Sequence, residues 1–156
     1  MSLQKVKEYF SQQGLDLTRI QEFSVSSATV ALATQALGCR PERIAKTLSF
    51  WVNGSCVLIV AAGDVKIDNS KFKQQFHTKA KMLAPQETEP VIGHQPGGIC
   101  PFAVNPGTVV YLDQSLKRFD TVYPACGSSN SAVALTLPEL EKYSGFQEWI
   151  DVTKLA

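Results

Sequence analysis

The sequence predicts one mixed domain of the α+β or α/β kind, with a central mixed sheet flanked by helices. Three observations predict it. The chain has 156 residues, 44% of them hydrophobic, enough for one buried core. The run Ile44 to Val52, Asn53-Gly54, then Ser55 to Ala62 reads as a hairpin, because Asn-Gly suits the left-handed dihedrals of a type I′ turn. Its second arm, Cys56-Val57-Leu58-Ile59-Val60-Ala61-Ala62, is apolar without alternation, the mark of a strand covered on both faces. Helices must therefore flank the sheet.

The remaining elements follow in chain order. Leu3, Val6 and Phe10 recur at helical spacing, and Gly14 closes that helix. A short strand is expected at Ile20 to Phe23. Ser27 or Thr29 caps a second helix, which ends at Gly38. Asp68 caps a helix carrying Phe72 and Phe76 on one face. Ala80 to Leu83 reads as a short strand. Pro85 opens a helix with Glu87 and Glu89 near its positive end, and Pro90 is expected to cut it short. Val109 to Leu112 is a strand and Ser115 to Phe119 a single turn. Thr121 to Ala125 and Ser131 to Leu135 read as two strands joined across Cys126-Gly127-Ser128-Ser129-Asn130. Pro138 begins a last helix ended by Gly145, and Trp149 to Val152 adds an edge strand. No repeat or linker interrupts the chain, so residues 1–156 are expected to form one domain.

Composition excludes several classes. Fifteen basic residues nearly balance fourteen acidic ones, so a partner such as nucleic acid must be gripped locally, through a few phosphates. Five lysines (66, 71, 73, 79 and 81) face only Asp64 and Asp68 nearby, a local positive surplus that is a solvated face or a phosphate contact. Cysteines 39, 56, 100 and 126 form no C-x-x-C pair, and the two histidines lie far apart, so no metal site is expected. The N-terminal stretch is charged and amphipathic, unlike a signal peptide, and the longest apolar run is far short of a membrane span. A cytoplasmic setting with free thiols is expected.

Chemistry concentrates in three places. The stretch Gly93 to Phe102 holds three glycines and two prolines in ten residues, a loop of fixed shape able to show its amides to a ligand. Lys46 stands in a strand that helices cover, where a cation facing a cleft suits a phosphate or carboxylate. The turn Gly127-Ser128-Ser129-Asn130 offers further amides and hydroxyls. If the two turns lie side by side, the three pieces make one pocket. His94 is as readily a surface residue as a ligand contact. Cys100 and Cys126 read better as packed thiols than as nucleophiles.

The segment Ile44-Ala45-Lys46-Thr47-Leu48, the loop Gly97-Gly98-Ile99-Cys100-Pro101-Phe102 and the Gly127 turn together resemble the YbaK/prolyl-tRNA-synthetase-associated editing domain family. The resemblance spans nearly the whole chain and implies an aminoacyl-tRNA deacylase without cofactors. Its partners would be the aminoacylated 3′ end of tRNA and, secondarily, prolyl-tRNA synthetase. It implies that Lys46 binds the terminal phosphate and that Gly97, Gly98 and Pro101 belong to the G-x-x-x-P loop shaping the pocket, with Gly127 on the opposite wall. Thr47, Ile99, Cys100, Phe102, Ser128, Ser129 and Asn130 are the expected substrate contacts. Some branches carry a histidine in the Gly127 turn, and this chain does not. The rival reading is a non-catalytic module that holds the same ligand without turnover.

Overall fold

A computed structural model describes residues 2–156. Its spine is the expected hairpin of β2 (Ile44–Val52) and β3 (Ser55–Ala62), turned by Asn53 and Gly54 at φ of 50° and 82°. Around it the main sheet runs in the order β8-β6-β2-β3-β5-β9, with β5 at Val109–Asp113, β6 at Thr121–Pro124, β8 at Leu135–Thr136 and β9 at Trp149–Ile150. The pairings of β2 with β6, β3 with β5 and β5 with β9 are parallel, while β2–β3 and β6–β8 are antiparallel. Two small ribbons complete the strands. β1 (Ile20–Glu22) pairs with β7 (Ser131–Val133), and β4 (Val65–Ile67) pairs with β10 (Thr153–Leu155).

Both faces of β3 are buried, which is why its sequence does not alternate. Leu58 and Val60 face Val6 and Phe10 of α1 (Ser2–Gln12), Ile92 of α4 (Pro85–Ile92) and Leu140 of α5 (Leu137–Ser144). Val57 and Ile59, with Phe50, face Phe72 and Phe76 of α3 (Asn69–Phe76) and Val152. Each ring of the Phe50–Phe72–Phe76–Tyr111 chain lies 4.7–5.2 Å from the next, within the aromatic-pair range. The second helix, α2 (Val30–Leu37), is capped by the Thr29 hydroxyl and closed by left-handed Gly38.

Three expectations are corrected, and one element is new. Pro90 does not end α4, which continues to Ile92; Pro90 stands three residues before the C-cap Gly93, so it forgoes a single hydrogen bond in the last turn. Ala80 to Leu83 is no full strand but a bridge of Met82 to Phe50 on the β2 edge. Ser131 to Leu135 is not one strand but two: β7 departs to β1, and β8 returns to β6. The ribbon of β4 and β10 was not expected at all, being two three-residue strands from distant parts of the chain.

Arg19 ties the β1–β7 ribbon to α5. Its guanidinium donates to both Glu139 carboxylate oxygens at 2.6 and 2.7 Å and to the Ala134 carbonyl. The pairing holds the Glu139 carboxyl down at about 2. A carboxylate depressed on folding stabilises above its unfolded range and loses that stabilisation as pH falls toward its folded value. Glu139→Gln should therefore lower Tm most near neutral pH, with the gap from wild type closing between about pH 4.5 and about 2. Thermal melts of both proteins across that window test it, and a gap independent of pH would contradict it.

Candidate functional site

A cavity of about 250 Å³ opens where the sheet splits. β6 pairs with β2 only at Ile44 and Ala45 and then turns away at Cys126-Gly127. Further along the same edge of β2, the Ser49 carbonyl accepts from the Leu83 amide and the Trp51 amide donates to the Lys81 carbonyl. Between these contacts, Lys46 to Leu48 pair only with β3. In an antiparallel ladder the backbone groups of alternate residues point to opposite edges. Ala45, Ser49 and Trp51 point outward, so the Thr47 amide and carbonyl do too, and they meet the cavity and not a strand.

The remaining walls come from four places. Ser27 to Val30 bring in the N-terminal end of α2, where amides lack intrahelical partners and the dipole is positive. Gly97 and Ile99 come from the glycine-rich loop, Tyr123 and Ala125 from β6 and beyond, and Ser131 and Ala132 from β7. Ala33, Ala45, Ala125 and Ala132 line the interior with small apolar groups. Lys46 is the one charged residue among the described residues that line it. Its ammonium donates to the Val65 carbonyl. Burial pushes its pKa down, while the Asp64 carboxylate opposes that shift. An ammonium has three donors, so two remain after Val65. The Thr47 hydroxyl oxygen is shut off from water and has no partner among the described residues.

The two glycine turns do lie side by side. A Cβ at Gly98 would stand 2.7 Å from the Ser128 amide nitrogen and 2.8 Å from the Gly127 carbonyl carbon, so the backbones touch where no side chain fits. Gly97 faces Ala28 and Ser129. The loop hangs on His94, which is fully buried. Its Nε2 lies 2.7 Å from the Phe102 carbonyl, which assigns the proton to Nε2 and leaves buried Nδ1 without a partner among the described residues. Burial lowers the His94 pKa, so the ring is neutral.

Several expected contacts are corrected by this geometry. Cys100, Pro101 and Phe102 are buried and line neither of the two hollows at the site, so Cys100 is the packed thiol that its sequence context suggests. Phe102 packs 4.8 Å from Phe10, and the Cys100 thiol, pushed up to about 12 by burial, is neither accessible nor ionised. They support the loop from beneath. His94 is not a surface residue, being fully buried, and it lines neither cavity. Gly98, Gly127, Ser128, Ser129 and Asn130 line a neighbouring hollow of about 620 Å³ on the far side of the loop, together with Glu22 and Glu89. There Asn130 donates to the Phe23 carbonyl and accepts from Ser128, and Gly127 admits the Ser2 backbone. Lys46, Thr47, Gly97 and Ile99 share the first cavity. Sequence reasoning missed Ser27 to Val30, Tyr123 and Ala132. Only the helix-cap signal, read at Ser27 or Thr29, pointed toward any of them.

Comparison with known proteins agrees with this geometry. The model of the aminoacyl-tRNA editing domain matches residues 25–143. The chain is 51% identical over 155 residues to the uncharacterized protein YwhH of Bacillus subtilis (strain 168), covering 99% of this chain and 98% of that one. It is 32% identical over 102 residues to proline–tRNA ligase of Geobacillus kaustophilus (strain HTA426), covering 65% of this chain but only 18% of the ligase. A crystal structure described as a candidate trans-editing enzyme for prolyl-tRNA synthetase superposes with a TM-score of 0.87 at 25% identity, covering 98% of this chain and 97% of that one.

Gly98→Ala should cost about 1–3 kcal/mol, the usual range for overpacking a close contact, because its neighbours are backbone atoms that cannot swing aside. Exposed Ser129→Ala, on the same turn, should stay within about 0.5 kcal/mol of wild type. Urea titration of both compares them, and equal midpoints would refute the close contact.

Proposed function

Because the chain belongs to the aminoacyl-tRNA editing domain family, we propose that it is a deacylase acting in trans, which hydrolyses the ester joining a small, wrong amino acid to the terminal ribose of tRNA, most readily tRNA for proline. The observation that carries this reading is the cavity itself: one cation at an unpaired strand edge, beside an apolar interior built from alanines. The likeness to the ligases and to the candidate trans-editing structure supports the proline assignment.

The proposed mechanism asks little of acid–base chemistry. An aminoacyl ester is already activated, so positioning and donors for the developing oxyanion are the main requirements. Lys46 uses its two free donors to hold the phosphate of the terminal nucleotide, helped by the positive end of α2. The acyl group enters between Gly97, Ile99 and the Thr47 edge. There, loop amides and the Thr47 amide donate to the ester carbonyl as it becomes tetrahedral. The Thr47 carbonyl accepts from the α-ammonium. Water attacks from the open side, oriented by a ribose hydroxyl. Rejection of the larger cognate amino acid comes from volume. A methylene too many is worth only about 1–3 kcal/mol, so the alanine walls must be rigid to be selective.

Incubation with tRNA carrying labelled alanine, serine, cysteine or proline tests the reading. Release of the small amino acids and retention of proline are expected. Lys46→Ala should reduce kcat/KM about 10- to 100-fold, equivalent to losing a charged hydrogen bond of about 1.5–3 kcal/mol. Cys100→Ser should stay active. Binding of the charged tRNA end with no release would favour the non-catalytic module, and abolition by Cys100→Ser would favour a thiol hydrolase.

A further inference from the structure

The layer that covers one face of the hairpin carries an excess of lysines that no fold requirement explains. Lys46, Leu48 and Phe50 project from the same face of β2, two residues apart. Leu48 and Phe50 pack with Ile67, Phe72 and Ala80, so β4, α3 and the segment around Ala80 form the layer over that face. Lys66 stands on β4 directly after Val65, whose carbonyl holds the Lys46 ammonium. Lys79 and Lys81 flank Ala80, and the Lys81 carbonyl lies on the same β2 edge that borders the cavity. Of these lysines only Lys46 lines the cavity; the others lie on the layer that Lys46 reaches through the Val65 carbonyl.

Two observations separate this surface from an ordinary solvated face. First, Lys66 and Lys154 are direct cross-strand partners in the β4–β10 ribbon, both exposed. Like charges in that position oppose the pairing and are normally avoided. Second, the nearby carboxylates already have partners. Asp64 takes Arg118 in a two-pronged pair, Asp151 takes Lys71, and Asp68 caps α3 through the Ser70 and Lys71 amides. Glu87 accepts from the Ala84 amide and the Trp51 indole, and Glu148 accepts from Gln75. Among the described residues, Lys66, Lys73, Lys79, Lys81 and Lys154 form no ion pair.

We infer that this lysine layer is a docking surface for the phosphodiester backbone of the RNA substrate, gripping the stem next to the acylated end while Lys46 holds the terminal phosphate. This rests on the deacylase reading and adds to it that the RNA body is bound, through charge and without base readout. The near-neutral total of the chain conceals the surface, because the carboxylates nearest it are engaged in pairs, caps and hydrogen bonds, and Asp68 and Glu87 attract Lys154 and Lys81 without forming ion pairs.

The test is the combined variant Lys66→Gln, Lys79→Gln, Lys154→Gln, assayed on full-length aminoacylated tRNA and on an aminoacylated CCA trinucleotide. On full-length tRNA at low salt, kcat/KM should fall at least about 10-fold. The slope of log affinity against log salt should become shallower by about 2–3, near one for each phosphate no longer neutralised. On the trinucleotide the variant should match wild type. Its Tm should equal or exceed wild type, since a like-charge pair is removed, which excludes misfolding as the cause. Equal values on full-length tRNA, or equal losses on both substrates, would overturn the inference. If wild type cleaves neither substrate, the deacylase reading fails, and the affinity of uncharged tRNA still tests the surface: an unchanged salt slope in the variant would refute it.

Discussion

The contact of two backbones at Gly98 and the Gly127–Ser128 turn fixes the separation of everything else at the site. The glycine-rich loop brings Gly97 and Ile99 to one wall of the cavity, and the strand leaving the turn brings Ser131 and Ala132 to another. Neither segment is held by a ladder across that gap, since β7 pairs only with β1. Their spacing is set by the absence of a side chain at Gly98 and by the buried anchor of His94 on the Phe102 carbonyl. A cavity whose selectivity depends on volume needs walls that do not yield. Here they are backbone against backbone, which is stiffer than any packing of flexible side chains.

The same split in the sheet creates the polar part of the site. A strand interior normally hides its amides and carbonyls in two ladders. β2 has its second ladder interrupted from Lys46 to Leu48, with β6 on one side of the gap and the Lys81–Leu83 bridge on the other. The unpaired groups cost little where water or a ligand can reach them, and they are oriented in advance by the register with β3, which runs from Ala45 to Val52. Lys46 lies within that gap, half-buried, its ammonium kept in place by a carbonyl and by the field of Asp64. Burial disfavours the charge, and these two interactions offset part of that penalty.

Much of this was legible in the sequence wherever the signal was local. The Asn-Gly turn, the Thr29 and Asp68 caps, and Gly38 and Gly145 as helix stops each act through groups a few residues away, and each is found where its chemistry places it. What escaped reading was non-local. β4 and β10 are three residues each and pair only because distant parts of the chain meet in space. His94 sits among glycines and prolines, a polar context that suggests exposure, yet the loop folds inward and buries it. Cys100 and Phe102 share the loop's sequence with Gly97 and Ile99 but not its orientation. The apolar side chains point to Phe10 and the core while the backbone at Gly97 faces the cavity. Sequence adjacency to a ligand-facing glycine therefore says little about which side a neighbour takes.

The proposed deacylase would divide selection and capture between separate parts of the molecule, and the physics of each explains the division. Inside the cavity, discrimination would depend on fit and be insensitive to salt. Outside it, the inferred lysine surface would act over about one Debye length, roughly 8 Å at physiological ionic strength, whatever amino acid is attached. A cavity of about 250 Å³ could admit only the acylated end of the proposed substrate, so any grip on the rest of that anion would have to come from surface outside the cavity. Opposed Lys66 and Lys154 fit that constraint: a ribbon that tolerates like charges face to face gives up stability that would be regained when a phosphate lies between them.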